Sequence, residues 1–163
     1  MRIHIIVLAV AGACISLLSS PFGPGAIANP TGVFNNLDGT WRGNGRISLT
    51  GGESQRIGCR AYYNANGGGA ALNMAIRCAS PDNKIELRAQ LNDKNGQVSG
   101  TWEERTFNAT GNVSGTASTG LMALSIDGAV QGSMRISFSG RNQQVSITTA
   151  TDGLRGIAIN LRR

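Results

Sequence analysis

Apolar and polar residues alternate in short runs along most of this chain, and turn-forming residues separate the runs. In one typical run, Ile57, Cys59, Ala61 and Tyr63 alternate with polar or small residues. A period of two places successive side chains on opposite faces of a β-strand. The runs recur at intervals of about ten residues, which is typical of all-β domains. The pattern predicts an antiparallel up-and-down meander of about 8–10 strands.

The loops between the predicted strands are short, so consecutive strands are expected to be neighbours. In the second half we expect strands at residues 97–105, 107–117, 121–127, 130–139, 143–149 and 154–162. A meander of this kind leaves no exposed strand edge if it closes into a barrel. We therefore predict a closed or flattened barrel, with a two-sheet β-sandwich as the alternative.

The N-terminal residues have the pattern of a secretory signal peptide. A basic start is followed by an apolar run at residues 5–18, two prolines and a small-residue site that ends at Ala28. We expect residues 1–28 to be removed by cleavage after Ala28, which predicts a periplasmic or secreted protein. Residues 29–37 would then form an extended N-terminal segment, and residues 38–163 a single barrel domain.

The chain has three cysteines, and one of them lies within the predicted signal peptide. The residues that end at Cys14 loosely resemble a lipoprotein box, so anchoring through Cys14 is an alternative to soluble export. The other two, Cys59 and Cys78, fall on inward positions of neighbouring predicted strands. A cysteine pair in an exported chain predicts a disulfide, whereas a reducing compartment would leave two buried thiols.

The residue inventory predicts a non-enzymatic protein without cofactor or metal. The sole histidine, His4, precedes the predicted cleavage site, which removes the commonest general base and metal ligand. Glu103 and Glu104 are adjacent on a strand, so their carboxylates face opposite sides and cannot form a catalytic pair. The apolar run at residues 5–18 is too short for a comfortable membrane span, so we do not expect a membrane-spanning protein.

The net charge is +6, and thirteen of the fifteen basic residues are arginines. They lack the dense clustering of a nucleic-acid binder, and no nucleic-acid partner is predicted. By strand parity, however, arginines on four consecutive strands face outward. This arginine face comprises Arg42, Arg46, Arg56, Arg60, Arg77 and Arg88. It is predicted either to bind an anionic envelope component or protein partner bidentately, or to be an ordinary solvated surface.

Small residues fall on many inward positions of the second half, beside large ones. They predict either a tightly packed flattened barrel or a cavity lined for a small apolar ligand. For the second case the candidate pocket residues are Trp41, Tyr63, Trp102, Phe107 and Phe138.

The sequence Gly39-Thr40-Trp41 at the first predicted strand has the form Gly-x-Trp. In an exported meander this resembles the calycin superfamily of lipocalins and avidins, where the tryptophan closes one end of the barrel. The resemblance implies an exported, non-enzymatic binding protein with a pocket for a small apolar or amphipathic molecule.

A weaker resemblance is to small Gram-negative barrels that inhibit secreted metalloproteases. These also open with Gly-x-Trp and carry one disulfide in their first half, an order that Trp41, Cys59 and Cys78 match. The resemblance implies inhibition through an extended N-terminal trunk, which residues 29–37 would supply. The alternative function is therefore a protein-facing module, either a protease inhibitor or an envelope-interaction protein that uses the arginine face.

Overall fold

Ten antiparallel strands form one closed barrel in the computed structural model, which describes residues 32–163. Each strand pairs with the next along the chain, and the last pairs with the first, so the ring has no free edge. The strands are β1 (Gly39–Leu49), β2 (Ser54–Asn66), β3 (Ala71–Ala79), β4 (Lys84–Lys94), β5 (Gln97–Glu104), β6 (Ala109–Ser118), β7 (Leu121–Gly128), β8 (Gly132–Ser139), β9 (Asn142–Thr149) and β10 (Leu154–Arg162). The predicted all-β meander barrel is confirmed.

The predicted signal peptide, its cleavage after Ala28 and the alternative at Cys14 lie outside the described residues. Within residues 32–163, no helix combines the length and apolar character needed to cross a membrane.

Turn chemistry explains where the strands begin and end. Asn95 and Gly96 both have positive φ, at 57° and 82°, and join β4 to β5 in the tight hairpin that the Asn-Gly sequence favours. The strand expected from residue 107 begins instead at Ala109, because residues 105–108 form a turn in which Asn108 has a φ of 55°. Phe107, expected on an inward strand position, therefore lies in a loop.

The disulfide between Cys59 and Cys78 is also confirmed. The two cysteines lie directly opposite each other on β2 and β3, and both face the barrel interior. The bond links two strands that already pair, so it fixes their register.

The two ends of the barrel differ in packing. At the closed end, where β1 begins and β10 ends, the inward side chains are almost completely buried. They include Trp41, Leu72, Leu91, Met122, Val145, Ile159 and Leu161. Burying each large apolar side chain stabilises the fold by roughly 1.5–3 kcal/mol, so this end forms the core.

The residues before β1 seal the closed end. Residues 33–37, expected to be extended, form turns instead, and Phe34 and Leu37 are buried. The Phe34 N–H donates to Gly69 O at 3.3 Å, and the Trp41 indole N–H donates to Leu37 O at 2.7 Å. The Arg163 guanidinium lies 4.6 Å from the Trp41 ring. This segment is therefore a plug.

Candidate ligand pocket

The opposite end of the barrel, which we call the mouth, is formed by the loops at residues 50–53, 80–83, 105–108, 129–131 and 150–153. Near these loops the inward apolar side chains are only half-buried, in contrast to those of the closed end. They are Leu49, Ile85, Leu87, Ile126, Val130, Ile147 and Leu154. These side chains surround a cavity of about 550 Å³. This volume lies in the range of small-molecule sites.

Buried side chains form the inner part of the cavity, among them Met74, Ala89, Trp102, Val113 and Met134. The Trp102 indole N–H donates to Asp127 O at 3.0 Å, which leaves the ring system as an apolar surface. Trp102 lies opposite Gly111, where an added Cβ would approach the indole Nε1 to 2.7 Å and Asp127 O to 1.9 Å. Glycine at position 111 therefore makes room for the indole.

One of the mouth loops carries Phe107, which is 69% exposed although it lines the cavity. Glu104 holds this loop in place. Its Oε2 accepts a hydrogen bond from the Phe107 N–H and its Oε1 accepts one from the Glu86 N–H, each at 2.7 Å. Both carboxylate oxygens are thus used to position backbone, which identifies a structural role for Glu104.

Polar side chains are present on one side of the mouth. Gln55, Asn83 and Asp152 border the cavity, and the Asn83 side-chain amide donates to Gln55 Oε1 at 2.8 Å. A molecule with an apolar body and a polar end matches this distribution. In residues 32–163 no three histidine, cysteine or acidic side chains cluster in a way that would hold a metal ion.

The structure separates the five predicted pocket residues into two groups. Trp102 and Phe107 line the cavity, whereas Trp41, Tyr63 and Phe138 are packed in or near the closed end. The Tyr63 hydroxyl donates to Gln143 Oε1 at 3.1 Å, and burial raises the pKa of the Tyr63 phenol. Strand parity indicated which side chains face inward, but not which end of the barrel is filled.

Sequence reasoning missed the aliphatic side chains at the mouth. One signal could have found them. Ile85 and Leu154 lie at the mouth ends of their strands, directly after a turn, and Val130 lies within the loop at residues 129–131. The predicted arginine face does lie on the outside of the barrel, with Arg42 opposite Arg60 and Arg46 opposite Arg56. Its other two members, Arg77 and Arg88, lie beside these four on β3 and β4.

No family model matches this chain. No curated protein matches it either. Among solved structures, Rv2717c from M. tuberculosis superposes with a TM-score of 0.63 at 16% identity, over 79% of this chain and 93% of that one. The S-type phycobiliprotein lyase CPES from Guillardia theta gives a TM-score of 0.53 at 14% identity, over 80% of this chain and 89% of that one. At these identities the likeness shows the fold alone, a closed antiparallel β-barrel.

Proposed function

We propose that this chain is a non-catalytic binding protein whose mouth cavity holds a small apolar or amphipathic molecule. One observation carries the proposal: inward aliphatic side chains are fully buried at the closed end but half-exposed around the mouth. Apolar surface left in contact with water forgoes roughly 25 cal/mol per Å² of stabilisation. A bound apolar molecule would recover that stabilisation.

The fold comparison supports the small-molecule part of this proposal. One of the two structures named above is described as a phycobiliprotein lyase, and that description favours a small-molecule ligand for a barrel of this kind. Protease inhibition is not favoured. The described part of the expected trunk, residues 32–37, is folded against the closed end with Phe34 and Leu37 buried.

The proposed location is the periplasm or the extracellular space, with residues 1–28 acting as a signal peptide. A disulfide-bonded barrel suits an oxidising compartment. Purification of the chain from its own envelope, followed by N-terminal sequencing, tests this part of the proposal. A mature protein that begins at Asn29 is expected, and a retained N-terminus contradicts the proposal.

A thermal-shift titration with fatty acids of increasing chain length tests the pocket. Stabilisation should rise with the logarithm of ligand concentration. Affinity should increase by about 0.8 kcal/mol for each CH₂ buried, until the cavity is full. Fatty acids that leave the melting temperature of the wild-type protein unchanged at every length would contradict the proposal.

A matched pair of variants locates the binding site. Ala109 lines the cavity, whereas Ala123 faces outward on β7 between the buried Met122 and Leu124. Ala109→Trp should fill the cavity and remove the ligand-dependent shift, while Ala123→Trp should retain it. Equal effects of the two substitutions would place the fatty acid outside the cavity.

A further inference from the structure

Four arginines lie side by side across four neighbouring strands on the outer wall of the barrel. Arg162 of β10 is opposite Arg42 of β1, Arg42 is opposite Arg60 of β2, and Arg60 is opposite Arg77 of β3. We call these four residues the arginine row. Neighbouring strands lie about 4.8 Å apart, and like charges placed directly opposite each other destabilise a sheet. The repulsion within the row therefore destabilises the folded state.

Two further arginines, Arg46 and Arg56, lie opposite each other on the same outer face, nearer the mouth than the row. Between this pair and the row lies an uncharged strip formed by Asn160, Asn44, Gly58 and Ala79. Side chains are small here, and a Cβ added at Gly58 would meet nothing within 4 Å. The outer wall therefore has a groove with an uncharged floor and a line of guanidinium groups on each side.

Few carboxylates neutralise this groove. Glu86 lies at its edge, where Arg88 approaches its Oε1 to 2.6 Å, Arg77 to 3.4 Å and Arg105 to 3.6 Å. The hydrogen bond from Arg88, together with the charges of all three arginines, lowers the Glu86 pKa. Within residues 32–163, no carboxylate lies within ion-pairing distance of Arg42, Arg46, Arg56, Arg60 or Arg162.

We propose that this groove binds a linear acidic polysaccharide. An extended chain with regularly repeated carboxylates can engage successive guanidinium groups of the row bidentately. Its uncharged hydroxyls would meet the side-chain amides of Asn44 and Asn160 on the floor. The groove lies on the outside of the barrel wall, and none of the arginines and floor residues named above lines the mouth cavity. The proposal is therefore independent of the pocket.

Two other polyanions match the groove less well. Single-stranded nucleic acid is bound through aromatic side chains on which bases stack. The aromatic residue beside the row, Tyr62, is already covered by the Arg77 guanidinium at 5.7 Å from its ring centroid. A lipid surface is flat, whereas the groove lies on a curved wall, so only part of the row would meet its headgroups.

The test is calorimetric titration of the full chain with polygalacturonate, using neutral dextran as the control polymer. Polygalacturonate should bind, with an affinity that falls as salt screens the exposed charges, and dextran should not. The double variant Arg42→Gln/Arg60→Gln should reduce the affinity at least tenfold. Arg135→Gln/Arg155→Gln changes the net charge equally but lies outside the groove, so it should have little effect.

Thermal stability is a second measurement that separates binding from a purely structural role of the row. If the row stabilised the fold, removing one of its arginines would lower the melting temperature. Arg60 has a like charge on each side, so Arg60→Gln should raise the melting temperature at low salt while it weakens polygalacturonate binding. The proposal is overturned if the full chain does not bind polygalacturonate or if both double variants lose binding equally. It is also overturned if anionic vesicles or an oligonucleotide bind while polygalacturonate does not.

Discussion

The backbone N–H of Phe107 donates a hydrogen bond to Glu104 Oε2 at 2.7 Å, so the exposed aromatic ring at the mouth depends on a carboxylate three residues earlier. The other oxygen of that carboxylate accepts from the Glu86 N–H on β4. One side chain thus joins the loop to the neighbouring strand.

Replacing Glu104 with Gln should destabilise the loop and the edge of β4. The amide side chain keeps one acceptor oxygen, so one backbone N–H loses its partner. Hydrogen bonds to charged groups contribute about 1.5–3 kcal/mol, and we expect a loss of that order in the free energy of unfolding. Hydrogen exchange at the Glu86 and Phe107 amides should accelerate. Glu103→Gln, on the outer face, is the control, and equal losses in both variants would contradict the role of Glu104.

Two phenylalanines should respond to truncation in opposite ways. Phe107 is 69% exposed at the mouth, so Phe107→Ala should change stability by less than about 0.5 kcal/mol but weaken fatty-acid binding. Phe138 is buried near the other end of the barrel, so Phe138→Ala should cost about 3–5 kcal/mol and leave binding by the folded protein intact. Denaturant titration and thermal shift measure the two effects. Unchanged binding in Phe107→Ala would remove Phe107 from the site.

Trp41 joins the plug to the first strand, because its indole N–H donates a hydrogen bond to Leu37 O. Truncation to Ala should cost about 3–5 kcal/mol, because the residue is completely buried. Trp41→Phe keeps a six-membered aromatic ring but removes the hydrogen-bond donor, so it should destabilise the fold less than Trp41→Ala. If Trp41→Ala melts within a few degrees of the wild type, the plug does not stabilise the barrel.

The Cys59–Cys78 disulfide closes a short loop, since the two residues are 19 positions apart. Loop-closure entropy predicts a contribution of roughly 3 kcal/mol. Intact mass under non-reducing conditions should show the loss of two hydrogens, and a reductant should lower the melting temperature. The double variant Cys59→Ala/Cys78→Ala is the control, because its melting temperature should not respond to the reductant. Two freely alkylated thiols in the native protein would refute the bond.

Glu86 should make the stability depend on pH. Its pKa is lowered in the folded protein by the hydrogen bond from Arg88 and by the nearby arginines. A lowered folded pKa stabilises the fold above the ordinary value of 4.5, and this stabilisation disappears as the pH falls through the folded pKa. Glu86→Gln should therefore be less stable than the wild type at neutral pH and equally stable in acid. Glu53→Gln is the control, and a difference that persists in acid would contradict this assignment.

Local sequence patterns predicted the strands, the Asn95-Gly96 hairpin and the disulfide, because these depend on alternation, turn conformation and cysteine pairing. The filling of the barrel could not be predicted in the same way. Tyr63 and Trp102 are both inward aromatics, yet one is buried beside Gln143 and the other lines the cavity. The difference arises from the path of residues 32–37, which cover only one end of the barrel.

The alignment of the arginines across the barrel wall could not be predicted from the sequence either. Parity placed Arg42 and Arg60 on the outer face, but their alignment with Arg162 depends on the closure of β1 against β10. That pairing joins strands that are far apart in sequence, and alternation within a strand contains no information about it.

The plug, the start of β1 and the end of β10 all lie at the closed end of the barrel, so the mouth consists entirely of five separate hairpin connections. None of these connections contributes to sealing the other end. Their length and composition can therefore change one at a time during evolution while the cylinder stays intact. Proteins that share this architecture can therefore come to bind different ligands at the mouth while they keep the same barrel.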